Sequence, residues 1–254
     1  MIHTATESGT TFSVDIDSRE YWITAKHLFT GIKSGPQGEF KQKQVVAAVL
    51  AQTVGSEGQD QQWVTRTFSV LDPGKDIDIL VLAAPEPLLP AERSLDPNTK
   101  GIGLGADCEF LGFPYGEGWK AHMDTGATIW LPYAKHCTTS AIINAAGDIK
   151  FWVLDGINNE GFSGGPVLFG TGTEQKVFAV ISGFHQELLD VLPKPDSGSM
   201  QQPPPPPALE GEKPKALVVK TNSGFIVAFD IAAAVEAIQK NPIGPKREAK
   251  KIEK

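Results

Sequence analysis

The chain has 254 residues, within reach of one compact unit or two small ones. Apolar residues make up 41 %, enough to bury a sizeable core, which excludes wholesale disorder. Asp and Glu number 30 against 23 Lys and Arg, a formal charge of −7, so the chain lacks the basic surplus that non-specific binding to nucleic acid or an anionic membrane requires.

No stretch reaches the ~20 apolar residues of a membrane span. The segment from Met1 to Ser8 lacks the basic start and apolar run of a signal peptide. A soluble, cytoplasmic protein is therefore expected. The two cysteines, Cys108 and Cys137, allow one disulfide or two free thiols, the second being the state a reducing compartment favours. The 26 Gly and 19 Pro favour many short strands and turns over long helices.

In chain order, Thr11–Asp15 alternates apolar and polar residues and predicts the first strand, and Tyr21–Thr24 the second. Val45–Val54 and Trp63–Leu71 follow, each ended by Gly, Asp or Pro; Val45–Gln52 fits a short helix equally well. Ile77–Ala84 is a continuous apolar run interrupted by Asp78, the pattern of a buried strand. Pro85, Pro87, Pro90 and Pro97 close this half. In the second half, Cys108–Phe113, Ala127–Leu131, Thr138–Ile143, Ile149–Leu154, Pro166–Phe169, Val177–Phe184, Ala216–Thr221 and Phe225–Phe229 are strand-like. Asp230 reads as an N-cap for a helix over Ile231–Lys240, stopped by Pro242. The tail from Lys246 is charged and expected to fray. Between Pro193 and Pro214, the unbroken run Pro203–Pro207 is either an exposed loop or a ligand for an SH3- or WW-type groove.

The chemistry centres on Gly161-Phe162-Ser163-Gly164-Gly165-Pro166. A serine between glycines sits where the backbone turns sharply, exposing the hydroxyl and aiming the amides of Gly161 and Ser163 at one spot. Two such donors stabilise a developing oxyanion by about 3 kcal/mol each. The hydroxyl needs a base. Of five histidines, His27 follows a strand directly and sits at its mouth. The base needs a carboxylate to fix its tautomer. Asp78, at the start of the apolar run, must find a partner because an unpaired buried charge is costly; Asp76 is the rival two residues earlier on the same pleat face. His136-Cys137 has no matching pair at zinc spacing, so no metal site is expected. Gly101–Gly105 lacks the spacing and strand–helix setting of a dinucleotide site, so no cofactor is expected either.

His27 in Thr-Ala-Lys-His, Asp78 in Asp-Ile-Leu-Val-Leu and Ser163 in Gly-Phe-Ser-Gly-Gly-Pro, in that order, resemble the trypsin-like serine peptidase family. Gly9–Val14, Phe110–Pro114 and Gly224–Phe229 are similar to segments of its bacterial heat-shock, Do-like branch. The resemblance implies an all-β fold of two six-stranded antiparallel β-barrels with a C-terminal helix. Residues 1–95 would form the N-terminal barrel, with His27 and Asp78. Residues 96–240 would form the C-terminal barrel, with Ser163, the Pro-rich insertion 193–214 and the closing helix, and 241–254 a charged tail.

It further implies a serine endopeptidase working through an acyl-enzyme on peptide or protein substrates, with the alternative of a peptidase-like module that binds peptides or partners without turnover. By the family's spacing the base of the primary pocket falls at Ile157, and its wall at Ser182, Gly183, Phe184 and Gly224. None is acidic, so a small or apolar residue before the scissile bond is expected rather than Arg or Lys. Members activated by cleavage carry Asp before the serine; here Phe162 stands there, either packing inward to hold the oxyanion loop or deforming it.

Overall fold

Along Arg19–Thr24 and Leu80–Ala83, successive side chains enter different cores. Trp22, Leu80 and Leu82 pack into one, with Val45, Val49 and Phe68. Tyr21, Ile23, Ile79, Val81 and Ala83 pack into another, with Leu168, Val177 and Val180 from far along the chain. The twofold period of a strand does this, since alternate residues leave opposite faces of the sheet. It also explains why Ile79–Ala84 reads as an unbroken apolar run: both of its faces are buried.

In this computed structural model the structure describes residues 1–33, 35–52, 59–145, 149–190 and 218–248. The first half contains β1 (Ile2–His3), β2 (Ser8–Gly9), β3 (Phe12–Ile16), β4 (Arg19–Thr24), the single turn α1 (His27–Thr30), β5 (Gln44–Ala51), β6 (Gln62–Leu71) and β7 (Leu80–Ala83). The second half contains β8 (Asp96–Pro97), β9 (Asp107–Gly112), β10 (Trp119–His122), β11 (Thr128–Leu131), β12 (Tyr133–Ala145), β13 (Ile149–Asp155), β14 (Pro166–Phe169), β15 (Lys176–Asp190), β16 (Val218–Asp230) and α2 (Ala232–Lys240).

The first seven strands form one antiparallel sheet in the order β2-β1-β5-β6-β7-β4-β3. In the second, β14-β9-β12-β13-β16-β15 closes into a ring of six through a β14–β15 pairing, and β8 is added outside, parallel to β15. The C-terminal barrel therefore closes by backbone hydrogen bonds, whereas the N-terminal sheet curls without direct pairing of β2 to β3. The fold is all-β, a trypsin-like double barrel with a C-terminal helix. β10 and β11 form a separate two-stranded hairpin.

Three large cores and a small cluster of Met1, Leu50 and Phe113 hold this together. One fills the N-terminal sheet and a second, around Phe110, Trp152, Phe162 and Phe178, fills the C-terminal barrel. The third lies between the two and is closed by Ile231, Ala234 and Ile238 of α2. The seam is thus apolar where this third core lies.

Several local expectations change. The ambiguous stretch at Val45–Gln52 is strand β5, because its alternate residues bury against β1 and β6. Of the strands expected at Ala216–Thr221 and Phe225–Phe229, the part from Val218 onward is one strand, β16, whose register against β15 shifts at two irregularities; residues 216–217 lie outside the described residues. The cap position of α2 is Ile231, although Asp230 Oδ1 still accepts the Ala232 amide at 2.9 Å. The charged tail begins tied down: Arg247 donates to Asp15 and Leu89, and its amide to the Ser18 carbonyl at 2.7 Å. Cys108 and Cys137 face each other across β9 and β12 as buried free thiols. Burial pushes them up to about 11 and about 12, so both stay protonated near neutrality. The run Pro203–Pro207 lies outside the described residues.

Candidate active site

His27 opens α1 immediately after β4, and Asp78 stands two residues before β7, the strand paired with β4. The β4–β7 pairing brings the two together. His27 Nδ1 lies 2.7 Å from Asp78 Oδ2, and the His27 backbone amide donates to Oδ1 at 2.8 Å. The Ser182 hydroxyl donates to Oδ2 as well, at 2.5 Å. Asp78 is 2 % exposed, so three donors answer a carboxylate that burial would otherwise penalise. Asp76 does not reach His27. It has φ +65°, and its Oδ1 accepts the Gly38 amide at 3.3 Å.

Lys26, the residue before His27, is fully buried. Its Nζ pairs with Asp72 Oδ1 at 2.6 Å and donates to the Gly74 carbonyl at 2.8 Å. This ties the β6–β7 connection, which carries Asp78, to the turn that carries His27.

Ser163 lies in the loop before β14. Its hydroxyl donates to the Ser182 carbonyl at 3.2 Å. Ser163, Gly161 and His27 line one cavity of about 470 Å³, together with Ser182, Gly183 and Phe184. Ile157 and Gly224 lie outside that lining: Ile157 is exposed, and the Gly224 carbonyl accepts the Gly156 amide at 2.8 Å. Counting positions from Ser163 gives a distance along the chain, whereas the direction of each residue depends on the turn between.

The loop is held by its carbonyls. Glu160 O accepts from Tyr115 N at 2.9 Å, Gly161 O from Thr10 Oγ1 at 2.7 Å, Phe162 O from Gly165 N at 2.8 Å and Ser163 O from Thr10 N at 2.8 Å. In a trans peptide the N–H points opposite the C=O. The amides of Gly161 and Ser163 are therefore turned away from these partners, and among the described residues neither donates to a protein group. Gly161 has φ +97°, and a Cβ there would lie 2.3 Å from the Phe113 carbonyl, so no other residue fits. Gly164, at φ +82°, has the same need where the loop touches the Thr10 carbonyl.

Phe162 is fully buried and packs edge-on against Phe110 with ring centroids 5.0 Å apart. It points into the C-terminal core and away from the cavity. Lys135 sits over its ring at 5.4 Å and donates to the Ile157 carbonyl at 2.8 Å and to Asn159 Oδ1. Desolvation holds this ammonium below the ordinary lysine range. Sequence reasoning missed Thr10, Lys26, Lys135 and the nearly buried Asn158, which also lines the cavity.

Among the described residues no group of three or more His, Cys, Asp or Glu is placed to hold a metal ion, and no helix is long and apolar enough to cross a membrane.

No family model and no curated protein matches the chain. Among solved structures it is similar to the Rv3671c protease of M. tuberculosis. For the active form the TM-score is 0.52 at 16 % identity, covering 97 % of this chain and 82 % of that one. For the inactive form it is 0.51 at 16 % identity, covering 95 % and 87 %. The likeness is one of fold: this chain has the double-barrel architecture of serine proteases.

Proposed function

We propose that the protein is a serine endopeptidase whose nucleophile is Ser163, with His27 as base and Asp78 as its orienting carboxylate. The observation that carries this reading is the double hold of Asp78 on His27, at Nδ1 and at the backbone amide, beside a cavity shared with Ser163. With Nδ1–H fixed on the carboxylate, Nε2 carries the free lone pair. Ser163 Oγ attacks the peptide carbonyl while Nε2 takes its proton, and the amides of Gly161 and Ser163 receive the oxyanion. His27 then returns the proton to the leaving amine, and water hydrolyses the acyl-enzyme by the same route. At rest the hydroxyl is turned to the Ser182 carbonyl, and attack requires it to leave that bond for the imidazole.

That resting bond also favours a second reading, a module that holds peptides without turning them over. A fluorophosphonate probe separates the two. The peptidase reading expects stoichiometric labelling of the folded chain that is lost in Ser163→Ala and slowed in His27→Ala, with cleavage of a fluorogenic casein following the same pattern. A folded chain that takes no label and cleaves nothing overturns it.

A further inference from the structure

Most polar side chains around the cavity are already committed. Asn159 accepts from Lys135 at Oδ1 and donates from Nδ2 to the Tyr115 hydroxyl at 3.3 Å. Ser182 serves Asp78, Ser163 serves the Ser182 carbonyl, and Lys33 pairs with Glu7 at 3.3 Å. Asn158 differs. It is 2 % exposed and lines the cavity. Its Oδ1 accepts the Asn159 backbone amide at 2.8 Å, which fixes the oxygen end of the side chain, and its carbonyl accepts Asn222 Nδ2 at 2.6 Å. Its own Nδ2 donates to no protein group among the described residues. Nδ2 is not fully enclosed, so it stays open to the solvent of the cavity it lines, and the protein acceptor it lacks is one that a ligand there can bring.

We propose that Asn158 selects the substrate: Nδ2 donates to an oxygen on the side chain preceding the scissile bond. The preferred substrates are peptides with an uncharged, acceptor-bearing residue there, namely Asn, Gln, Ser or Thr. This rests on the peptidase reading above. An aliphatic residue would seal the donor away unpaired, and a Lys or Arg head placed at Nδ2 would bring donor against donor there. A carboxylate would meet one neutral N–H, since Lys33 and Lys135 are bound to other oxygens. The expectation of an apolar residue rests partly on Ile157, which lies outside the cavity lining.

The test uses the full chain and shape-matched peptide pairs, Asn against Leu and Thr against Val, at the position before a single cleavable bond. The expected result is a kcat/KM at least about tenfold higher for Asn and Thr. In Asn158→Asp, nearly the same shape with the donor replaced by an acceptor, the Asn-to-Leu ratio should collapse to about 2 or less. Thermal unfolding establishes that the variant is folded; if it is not, the wild-type ratios decide alone. Equal or faster cleavage of the Leu and Val peptides overturns the proposal, as does a preference for Asp or Glu. The absence of both cleavage and fluorophosphonate labelling sinks the peptidase reading instead, so the two failures are distinct.

Discussion

Thr10 Oγ1 donates to the Gly161 carbonyl at 2.7 Å across 151 positions of chain. The same hydroxyl accepts the Phe113 amide at 3.1 Å, while the Thr10 backbone donates to the Ser163 carbonyl at 2.8 Å and accepts from Thr24 Oγ1 at 2.7 Å. One buried residue of the N-terminal half thus grips two carbonyls of the serine loop in the C-terminal half. The seam is apolar nearby, so these bonds form in a low dielectric where each is strong and its loss is felt.

Thr10→Val keeps the shape and deletes the hydroxyl. Gly161 O and Phe113 N then lose their partner, and the peptide that follows Gly161 is free to turn, while the one before it keeps its bond to Tyr115. The expected outcome is a kcat about tenfold to a hundredfold lower, or ~1.4–2.7 kcal/mol in activation free energy, with KM changed less than about threefold. Thr10→Ser should recover most of the loss. An unchanged kcat in a folded Thr10→Val chain would show that the loop holds its shape without this grip.

Asp78→Asn puts an NH2 where the carboxylate now meets donors at both oxygens. A donor then faces a donor, and the imidazole loses the tautomer that leaves Nε2 free. The kcat should fall on the order of 10⁴-fold. Single-turnover kinetics on an activated ester check this, and a drop smaller than tenfold would remove Asp78 from the reaction.

The residues of the proposed triad were legible because each carries a local mark. Ser163 sits in a glycine run, Asp78 heads a run buried on both faces, and His27 follows a strand. The strands that alternate or run apolar were legible for the same reason. Thr10, Lys26 and Asn158 carry no such mark. A threonine between two short strands, a lysine beside a histidine and an asparagine in a loop are ordinary residues until the two halves meet. Their roles come from partners 46 to 151 positions away, as with Lys26 and Gly74 at 48 or Thr10 and Gly161 at 151. Periodicity also left Val45–Gln52 undecided, since only pairing with β1 and β6 makes it a strand.

The pair Lys26–Asp72 predicts a stability effect of that hidden kind. Lys26→Met leaves Asp72 nearly buried, with only the Phe40 and Gly74 amides to answer its charge. Breaking one side of a buried pair costs about 3–5 kcal/mol. Lys26→Met/Asp72→Asn removes the stranded charge and should regain part of the loss. Urea unfolding of the two variants against wild type measures both effects; a single variant within ~1 kcal/mol of wild type would mean that the pair contributes little.

Glu20 makes the fold sensitive to pH. It is 5 % exposed; desolvation raises its pKa above the ordinary 4.5, opposed by the Leu88 and Leu89 amides and by Arg247. A raised folded value means that the native state binds this proton more tightly than the unfolded chain does. The associated stability is fully present below about pH 4.5 and is lost as pH rises through the raised value. Glu20→Gln loses an acceptor, because one of the Leu88 and Leu89 amides then faces an NH2, and this cost is constant with pH. Unfolding free energies of both chains at pH 4, 5, 6 and 7 should therefore show the variant's deficit shrinking as pH rises above about 4.5 and then levelling. A deficit that is constant or grows over that window would mean that the buried carboxylate is not held protonated by its surroundings.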